Sequence, residues 1–493
     1  MTVTQEYLDL LLALSSKFGE HTYDSHVLPI LAVCVISISR LRWAFQSEKI
    51  ISHSTKKFEG QPWRLARGDK DVIIFPTSFI PELNKLPSSV LNSRRYHSDN
   101  VISGLVGMDV IRLTNHHVKV LLGRISPAIP QLLQPTAQRT AAAIERLFPQ
   151  KTDEWTLIEP LDIVVECVTE GIALALVGPA VWKSPDFVHT LCLHTKLTFT
   201  IAFIMRCVPK VLQPILVWLL PYRWQLRRTW KSLDDYVIPE IRRRQQERSA
   251  DTYPDLVSWM IEDGRTAIDK DPRMLTRLVG AVGVGGTYST ANFVTGMILD
   301  LTEHPEILEQ VRQEIAEQHE KCNGHWDQAA FNSLDRLESA MKETSRLAPG
   351  SFIVYGRNVE QDYTLSNGLS LKKGQALGVS YLAKSMDPRV FDDYEDYKGM
   401  RFYDSGLEDL RARPFRSIDG EILTWGSGRH SCPGRFIANL SAKIALVKIL
   451  DEYDFKLVDG KRPGNGIMHD FTFVHPKSQL MIRRREKTLG IKY

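Results

Sequence analysis

Cys432 lies in a stretch of turn-forming residues, 425–436, whose sequence is WGSGRHSCPGRF. Gly426 and Gly428 allow the backbone to turn with positive φ and to come close to a flat ligand. Pro433 suits the first turn of a helix, where its missing N–H costs nothing. These residues predict a tight loop with Cys432 at the N-terminal end of a helix, where backbone N–H groups and the helix dipole stabilise a thiolate. A rigid loop that presents a thiolate is what an axial ligand of haem iron requires.

The same stretch resembles the cysteine loop of the cytochrome P450 family, whose pattern is F-x-x-G-x-[R/H]-x-C-x-G. Here Trp425 replaces the phenylalanine, and Gly428 and His430 take the glycine and Arg/His positions. The resemblance implies haem b as the cofactor, with Cys432 as the axial ligand of its iron. It also implies that Trp425, Gly428 and His430 contact the haem. A purely structural cysteine is the alternative, and the register of the whole motif argues against it.

Residues 273–303 form one unbroken helical pattern that ends before Pro305. Inside it lies the sequence GGTYST, which runs from Gly285 to Thr290. A glycine in a helix interior costs about 1 kcal/mol relative to alanine, so the pair indicates that something approaches the backbone there. A notch for packing against a neighbouring helix is the alternative, because it also needs small residues.

This segment is similar to the central helix of the cytochrome P450 family, whose pattern is [A/G]-G-x-[D/E]-T-[T/S] and which handles oxygen and protons above the haem. In that register Ser289 takes the threonine position and Thr290 follows it, so both are predicted catalytic residues. Tyr288 stands where the family has an acid. Because tyrosine has a reference pKa of about 10, it is a poor proton donor at neutral pH. Water or a substrate hydroxyl then supplies protons, and a register with Thr287 as the working hydroxyl stays open.

Glu343 and Arg346 form an E-x-x-R pair whose i, i+3 spacing places acid and base on one helix face. Alone, such a pair is typical of a solvent-exposed salt bridge. In the cytochrome P450 family the pair joins an arginine from an F-x-x-x-R-F stretch, which residues 397–402 resemble, with Arg401 as the arginine. The resemblance therefore implies a buried structural triad of Glu343, Arg346 and Arg401. Arg357, in a strand-like segment, resembles the family arginine that pairs with a haem propionate.

Long helical patterns dominate the chain from residue 115 onward, and strand-like runs are short. We therefore predict a mostly α protein with small β-sheets, an α+β fold of the cytochrome P450 type, with a single catalytic haem domain over residues 46–493. Residues 157–177 predict a helix that ends at Gly178. The very apolar stretch 191–220 contains three basic residues, so we predict two helices joined near Pro209 rather than a membrane span.

Residues 1–45 are predicted to form an N-terminal membrane anchor or leader. Residues 27–38 are an apolar run, shorter than the roughly 20 residues that a spanning helix needs, and a signal-peptide core is an equal match to them. Arg40, Arg42 and Trp43 follow at once and are typical of a cytoplasmic interface anchor. The resemblance to fungal cytochromes P450 implies attachment to the endoplasmic reticulum membrane, with the catalytic domain facing the cytosol. The six cysteines include no C-x-x-C spacing, which agrees with a reducing compartment.

A net charge of only +4 argues against a nucleic-acid-binding protein. We interpret the basic clusters Arg227-Arg228 and 242–244 as solvated helix faces rather than a phosphate site. Lys443 and Lys448, in the helix after the cysteine loop, are candidates to face an acidic redox partner. The family resemblance implies that electrons come from NADPH through the membrane-bound cytochrome P450 reductase.

The predicted function is that of a haem-thiolate monooxygenase that hydroxylates or oxidises a hydrophobic small molecule with O2. Similarity to the fungal members of secondary metabolism implies a terpenoid-type substrate. Two alternatives stay open. One is a haem-thiolate enzyme that rearranges or dehydrates its substrate without inserting oxygen, which the altered pair Tyr288-Ser289 favours. The other is a haem-binding protein without catalytic activity.

Overall fold

The computed structural model describes residues 27–184, 186–247 and 253–493. Residues 1–26, which hold the first part of the predicted anchor, lie outside the described residues. The first described helix runs through the predicted boundary at residue 45, and Gln46 interrupts its helical dihedrals with a φ of −127°. A kink thus lies where the catalytic domain is predicted to begin, and the anchor itself stays a prediction.

Helices dominate the described chain, as the sequence predicts. In chain order they are α1 (Val27–Lys57), α2 (Ile80–Leu83), α3 (Ser93–Asn100), α4 (Ser103–Val106), α5 (Val110–Leu113), α6 (His116–Val120), α7 (Ile129–Leu147), α8 (Pro160–Trp182), α9 (Phe187–Cys207), α10 (Gln213–Leu219), α11 (Pro221–Glu247), α12 (Leu256–Asp263), α13 (Ala267–Lys270), α14 (Pro272–Glu303), α15 (Pro305–Lys321), α16 (Gln328–Asn332), α17 (Asp335–Leu347), α18 (Leu382–Ser385), α19 (Arg401–Ser405), α20 (Leu407–Ala412) and α21 (Arg435–Glu452).

The strands form four small sheets. In chain order they are β1 (Trp63–Ala66), β2 (Asp71–Phe75), β3 (Leu91–Asn92), β4 (Thr156–Ile158), β5 (Ile353–Val359), β6 (Tyr363–Thr364), β7 (Ser370–Leu371), β8 (Ala376–Ser380), β9 (Tyr453–Leu457), β10 (Asn465–Met468), β11 (Phe471–Val474) and β12 (Leu480–Arg484). The largest sheet has the order β1-β2-β8-β5-β3, in which β2 and β8 are parallel. The others are β4-β12-β9, β10-β11 and β6-β7. The predicted class, mostly α with small sheets, is confirmed.

Helix α14 lies at the centre of the main core and packs against α8, α9, α11, α17 and α21. Asp271 caps its start by accepting a hydrogen bond from the backbone N–H of Arg273 at 2.8 Å, and Pro272 occupies the first turn. It ends at Glu303, and Pro305 begins the next helix. The unbroken helix predicted over 273–303 is therefore confirmed, and its middle lies within reach of elements from both halves of the chain.

The helix predicted to end before Gly178 continues as α8 to Trp182, across a kink at that glycine. Gly178 has a φ of +70°, and a Cβ there would lie 2.3 Å from Oδ2 of Asp255. The glycine therefore lets the chain turn against the buried ion pair between Asp255 and Arg244. In this pair Nη1 of Arg244 donates to both carboxylate oxygens of Asp255, each at 2.8 Å. The predicted end of the helix at Gly178 is thus confirmed as a break between two helical segments. The prediction that Arg244 lies on a solvated helix face is wrong, because its side chain is buried in a salt bridge between distant segments, which has no local sequence signal.

The apolar stretch 191–220 does form two helices, α9 and α10, joined through Val208 and Pro209 as predicted. Within the described ranges, α9 is the helix whose length and hydropathy would allow it to cross a membrane. Just over half of its apolar window is buried against the rest of the fold, which is typical of a core helix.

The prediction that Lys443 and Lys448 face a redox partner is wrong, because both side chains are buried in α21. Lys443 Nζ donates to the carbonyl of Phe331 at 2.8 Å and pairs with Glu338. Lys448 Nζ pairs with Glu452 at 2.6 Å. Helix α21 is surrounded by core on nearly all sides, so its lysines neutralise buried carboxylates and are not available to a partner protein.

Candidate active site

The loop around Cys432 is held by its own backbone. The N–H of Cys432 donates to the carbonyl of Trp425 at 2.8 Å, which closes the loop just before α21 begins at Arg435. Gly428 has a φ of +69°, and a Cβ there would lie 2.2 Å from Oδ1 of Asn84. Only glycine permits both the left-handed turn and the close approach of this neighbouring segment. The predicted turn before a helix N-terminus is what the structure contains.

Opposing effects act on the thiol of Cys432. Burial raises its pKa, while the backbone N–H groups of Gly434 and Arg435 and the charge of Arg435 lower it. Burial is the largest of these effects, so the pKa is raised overall, and the helix terminus alone does not stabilise a thiolate as the sequence suggested. Nη1 of Arg435 also donates to the carbonyl of Cys432 at 2.9 Å. A metal cation on Sγ is the kind of partner that deprotonates such a thiol.

A cluster of basic side chains lies near the loop. Arg357 is buried in β5, its guanidinium stacks 4.1 Å from the ring of Tyr355, and Nη1 donates to the carbonyl of Gly356. Burial lowers the pKa of Arg357 to about 10. Partial burial, followed by the charge of Arg357, lowers the pKa of His430 to about 4. The surrounding protein atoms and the charge of Arg357 also lower the pKa of His97, although its side chain remains accessible to solvent.

None of these three basic side chains forms an ion pair with an Asp or Glu within the described part of the chain. A buried guanidinium without a carboxylate calls for an anion, and the propionate groups of haem are carboxylates. Arg357 and His430 lie close enough for the charge of Arg357 to affect the pKa of His430, and their predicted contact with haem stays a prediction. His97 was missed, because it follows Tyr96 in the short helix α3 and belongs to no motif.

The glycine pair of α14 faces open space. A Cβ at Gly285 or Gly286 would meet no atom within 4 Å. By contrast, a Cβ at Gly280 would lie 2.7 Å from the ring of Trp230, and one at Gly283 would lie 2.5 Å from Leu191. The packing notch of this helix is therefore at Gly280 and Gly283, and the pair at 285–286 leaves room for a ligand.

Ser289 is exposed on the same face as Gly285, one helical turn away, and its Oγ donates to the carbonyl of Gly285 at 2.8 Å. Thr290 is buried and its Oγ1 donates to the carbonyl of Gly286 at 2.7 Å. Thr287 is completely buried, donates to the carbonyl of Gly283 at 2.9 Å and lies 3.4 Å from Oγ1 of Thr195 in α9. The accessible hydroxyl on this stretch is therefore that of Ser289.

Tyr288 points toward another part of the fold. Burial raises its pKa well above the usual range, and the charge of Asp162 in α8 adds to this effect. A phenol with a raised pKa that lies beside Asp162 cannot deliver protons to the face that carries Ser289. The missing acid of this helix is not replaced by its tyrosine.

A column of aromatic rings joins α14 to the cysteine loop. Phe293, one turn beyond Ser289, stacks on Phe415 with ring centroids 4.8 Å apart. Phe415 in turn lies 5.1 Å from Trp425, whose Nε1 donates to the carbonyl of Phe415. The open face of α14 and Cys432 thus belong to one packed unit, and Trp425 helps to hold the loop in place.

The model of the cytochrome P450 family matches residues 122–483, most of the chain. The chain belongs to the cytochrome P450 family. A cytochrome P450 monooxygenase of Emericella nidulans is 27% identical over 443 residues, which cover 88% of this chain and 83% of that protein. A cytochrome P450 monooxygenase of Penicillium canescens is 26% identical over 90% of this chain and 85% of its own length. An ent-kaurene oxidase of Gibberella intermedia is 28% identical over 90% of this chain and 85% of its own length. The protein is thus a cytochrome P450 monooxygenase with haem iron as its cofactor, and its homologues are fungal.

The three residues of the predicted P450 triad meet in the core. Nε and Nη2 of Arg346 donate to the two oxygens of Glu343, each at 2.8 Å. Nε of Arg401 donates to the same carboxylate at 3.0 Å. Arg346 also donates to the carbonyls of Ser385 and Tyr394, at 2.8 and 2.6 Å. The pair is buried rather than solvent-exposed, and it fastens the irregular segment 385–401 to α17.

Helix α17 also reaches the cysteine loop of this P450 through hydroxyl groups that the sequence did not single out. The hydroxyl of Tyr381 donates to the carbonyl of Ser345 at 2.7 Å and lies 3.3 Å from Oγ1 of Thr424. Ser345 and Thr424 are themselves hydrogen-bonded. Thr424 immediately precedes Trp425, so the helix that carries the triad anchors the start of the loop. No sequence motif marks these three residues, which are far apart in the chain.

Proposed function

We propose that this cytochrome P450 oxidises a large, apolar, terpenoid-type molecule. The observation that carries the proposal is the open face of α14, where Gly285, Gly286 and Ser289 leave the middle of a buried helix accessible. The similarity to proteins named ent-kaurene oxidase supports the substrate class. Oxygen insertion, rather than rearrangement or dehydration, is the reaction that the monooxygenase relatives favour.

In this proposal Sγ of Cys432 would bind the haem iron, and Trp425 and Gly428 shape the loop that presents this thiolate. Arg357 would hold a haem propionate with its positive charge and N–H donors, and His430, which is neutral near neutral pH, would contribute a ring N–H donor. When bound, the haem supplies the activation of O2, which a thiolate ligand promotes. Ser289 holds a water molecule on the open face and relays protons from it, and Thr290 keeps the helix locally loosened through its bond to Gly286.

Aromatic side chains from α9 and β11 form the wall that we assign to the substrate. The rings of Phe199 and Phe203 lie 6.1 and 5.5 Å from that of Phe471, and Phe203 stacks 6.5 Å from Phe473. All four remain partly accessible although they lie between helix and sheet. Oδ1 of Asn292 accepts from the N–H of Val474 at 2.7 Å, which ties this wall to α14. A wall of aromatic rings favours an apolar polycyclic substrate.

We further propose that the protein is attached to the endoplasmic reticulum membrane by residues 1–45, with residues 46–493 on the cytosolic side. An exposed apolar surface beside α1 supports attachment. Leu41 and Phe45 of α1 are 47% and 61% exposed, and Val211, Ile215 and Leu219 are 65–78% exposed. Nη1 of Arg40 donates to the carbonyl of Val208, which fixes the two parts of this surface side by side.

Electrons would come from NADPH through cytochrome P450 reductase, which shares that membrane. The buried state of Lys443 and Lys448 means that the reductase must recognise other residues.

Turnover in ¹⁸O₂ tests the proposed reaction. Purified protein, cytochrome P450 reductase and NADPH are mixed with a panel of apolar diterpene hydrocarbons, and products are examined by mass spectrometry. We expect one ¹⁸O atom in the product. We also expect Phe203→Ala to change the ratio of products, while Phe58→Ala, at an exposed position just after α1, does not. A converted product without label would contradict oxygen insertion. If the haem-loaded protein converts none of these apolar hydrocarbons, the proposed substrate class is wrong.

A further inference from the structure

A basic cleft of about 340 Å³ lies between α11 and α4 with the glycine that follows it. Arg223, Arg227 and Lys231 line it from α11, and Arg277 enters from α14. Asp234 is the acidic residue of its lining, so four cationic side chains face one carboxylate. Sites for small ligands have volumes of roughly 300–1,000 Å³, so the cleft is large enough for one polar group.

The floor of the cleft is Trp230, which is held rigidly. Its Nε1 donates to the carbonyl of Val106 at 2.8 Å. A Cβ at Gly107 would lie 2.8 Å from the same nitrogen, and Gly107 has a φ of +79°. A Cβ at Gly280 would lie 2.7 Å from the other end of the indole. Two glycines thus make room for this ring, and the cleft above it has a fixed shape.

Three of the four cations of the cleft are not neutralised. Arg277 donates to both oxygens of Asp234, at 3.0 and 2.9 Å, and so uses the carboxylate. Arg223, Arg227 and Lys231 form no ion pair with any residue that the structure describes. They stand at i, i+4 and i+8 on one face of α11, where like charges destabilise a helix by about 0.2–0.5 kcal/mol per pair.

The surroundings of Arg223 disfavour the charged form of its guanidinium. Burial, followed by the charge of Arg227, lowers its pKa. Its Nη1 donates to the carbonyl of Leu105, but its Nε is buried and has no hydrogen-bond partner among the described residues. An anion in the cleft would relieve both problems, since it would screen the like charges and accept from the free N–H.

The rim of the cleft continues into the exposed apolar surface that begins at Val211. The guanidinium of Arg227 lies 5.6 Å from the ring of Trp218 and 5.5 Å from that of Trp224, and that of Arg223 lies 5.0 Å from Trp218. Both indoles are nearly half exposed. Tryptophan beside arginine is typical of the layer where a bilayer meets water.

We propose that this cleft binds the phosphate of an anionic phospholipid headgroup while the adjoining apolar surface lies in the bilayer. The proposal rests on the membrane attachment proposed above. Guanidinium groups bind phosphate oxygens with paired N–H donors, and an exposed lysine adds a point charge. A soluble phosphate ester has the same chemistry, but the exposed indoles at the rim favour the lipid. The interpretation of Arg227 as part of a solvated helix face therefore changes, while Arg228, outside the cleft, keeps it.

Vesicle binding of the full-length, haem-loaded protein tests the proposal. The variant R227Q/K231Q removes two cations of the cleft, and R228Q/R242Q is the control, because it removes two exposed cations of the same helix outside the cleft. Flotation is measured with phosphatidylcholine vesicles, with and without phosphatidylserine. Each cation near an anionic membrane contributes about 1 kcal/mol, so we expect R227Q/K231Q to lose about 30-fold in affinity for the anionic vesicles and the control much less. Binding to neutral vesicles and the haem spectrum should be unchanged in both variants.

The outcomes separate the two proposals. If the wild-type protein binds neutral vesicles and gains nothing from phosphatidylserine, or if the control loses as much as R227Q/K231Q, the headgroup site is wrong and membrane attachment stands. If the wild-type protein binds neither vesicle, both proposals are wrong. Inorganic phosphate is the probe for a soluble ligand. Two results together would show that the ligand is a soluble phosphate rather than a lipid. Phosphate would change the fluorescence of the wild-type protein but not of Trp230→Phe, and at constant ionic strength it would abolish the preference for anionic vesicles.

Discussion

Glu343→Gln should destabilise this protein severely, because it leaves a buried guanidinium without its counter-charge. The side chains of Glu343 and Arg346 are 0% exposed, and Arg401 contributes a second guanidinium to the same carboxylate. A glutamine retains one acceptor oxygen and turns N–H donors toward two arginines. Removing one partner of a buried ion pair costs about 3–5 kcal/mol. Since proteins are stable by only about 5–15 kcal/mol, this is a large part of the total.

The assay is urea unfolding of the purified protein, followed by circular dichroism, together with the haem content of the folded fraction. Glu154→Gln is the control, because Glu154 pairs with Lys151 at the same i, i+3 spacing but with both side chains at least 60% exposed. An exposed pair contributes about 1 kcal/mol or less. We expect a much lower unfolding midpoint for Glu343→Gln, with a loss of haem, and an unchanged midpoint for Glu154→Gln.

Equal unfolding midpoints for Glu343→Gln and Glu154→Gln would refute the reasoning. They would mean that the segment 385–401 is held by the backbone hydrogen bonds of Arg346 alone. Retained haem in a destabilised Glu343→Gln protein would refute only the link from the triad to the cysteine loop.

Three further predictions address the central helix and one buried histidine. Ser289→Ala should raise peroxide release per NADPH consumed, while Thr287→Ala should not, because the Thr287 hydroxyl faces α9; the reverse pattern would contradict the assignment. The Gly285→Val protein should fold but turn over slowly. The Gly280→Val protein should unfold at a lower urea concentration than the Gly285→Val protein, because the added side chain at position 280 meets Trp230. Equal stability of the two variants would contradict the placement of the open face. Burial lowers the pKa of His194 to about 3, so the unfolded chain binds a proton that the folded one does not as pH falls below 6.5. The contribution of His194 to stability should therefore fall from pH 6.5 downward by up to about 1.4 kcal/mol per pH unit. His194→Leu should make the loss of stability with falling pH less steep by that amount, while the other histidines with a lowered pKa keep part of the slope; an unchanged slope would contradict this cause.

Local motifs were enough to locate the cysteine loop and the central helix, because their chemistry depends on neighbours in the chain. Glycines, a proline and a cysteine at fixed spacing predict a turn and a helix start wherever they occur. The same local reasoning predicted the E-x-x-R pair but not whether it is buried, and Arg401 came only from family resemblance.

The remaining features depend on contacts between distant segments, which no local pattern encodes. His97 joins Arg357 across more than 250 residues, and Tyr381 joins Ser345 to the cysteine loop. Lys443 was misplaced for the same reason, since its burial is decided by Glu338 on another helix. The glycines of α14 show the limit most clearly: Gly280 and Gly285 look alike in sequence, and only the neighbouring Trp230 distinguishes a packing notch from an open face.

The carbon monoxide difference spectrum of the reduced protein tests the central claim, that Cys432 presents a thiolate to haem iron, most directly. We expect the strongly red-shifted Soret band of a thiolate-ligated haem for the wild-type protein and the loss of this band in Cys432→Ser. Cys322→Ser is the control and should keep the band, because Cys322 directly follows α15, far along the chain from the cysteine loop. A wild-type band at the position typical of histidine ligation, or a red-shifted band that survives in Cys432→Ser, would contradict the account.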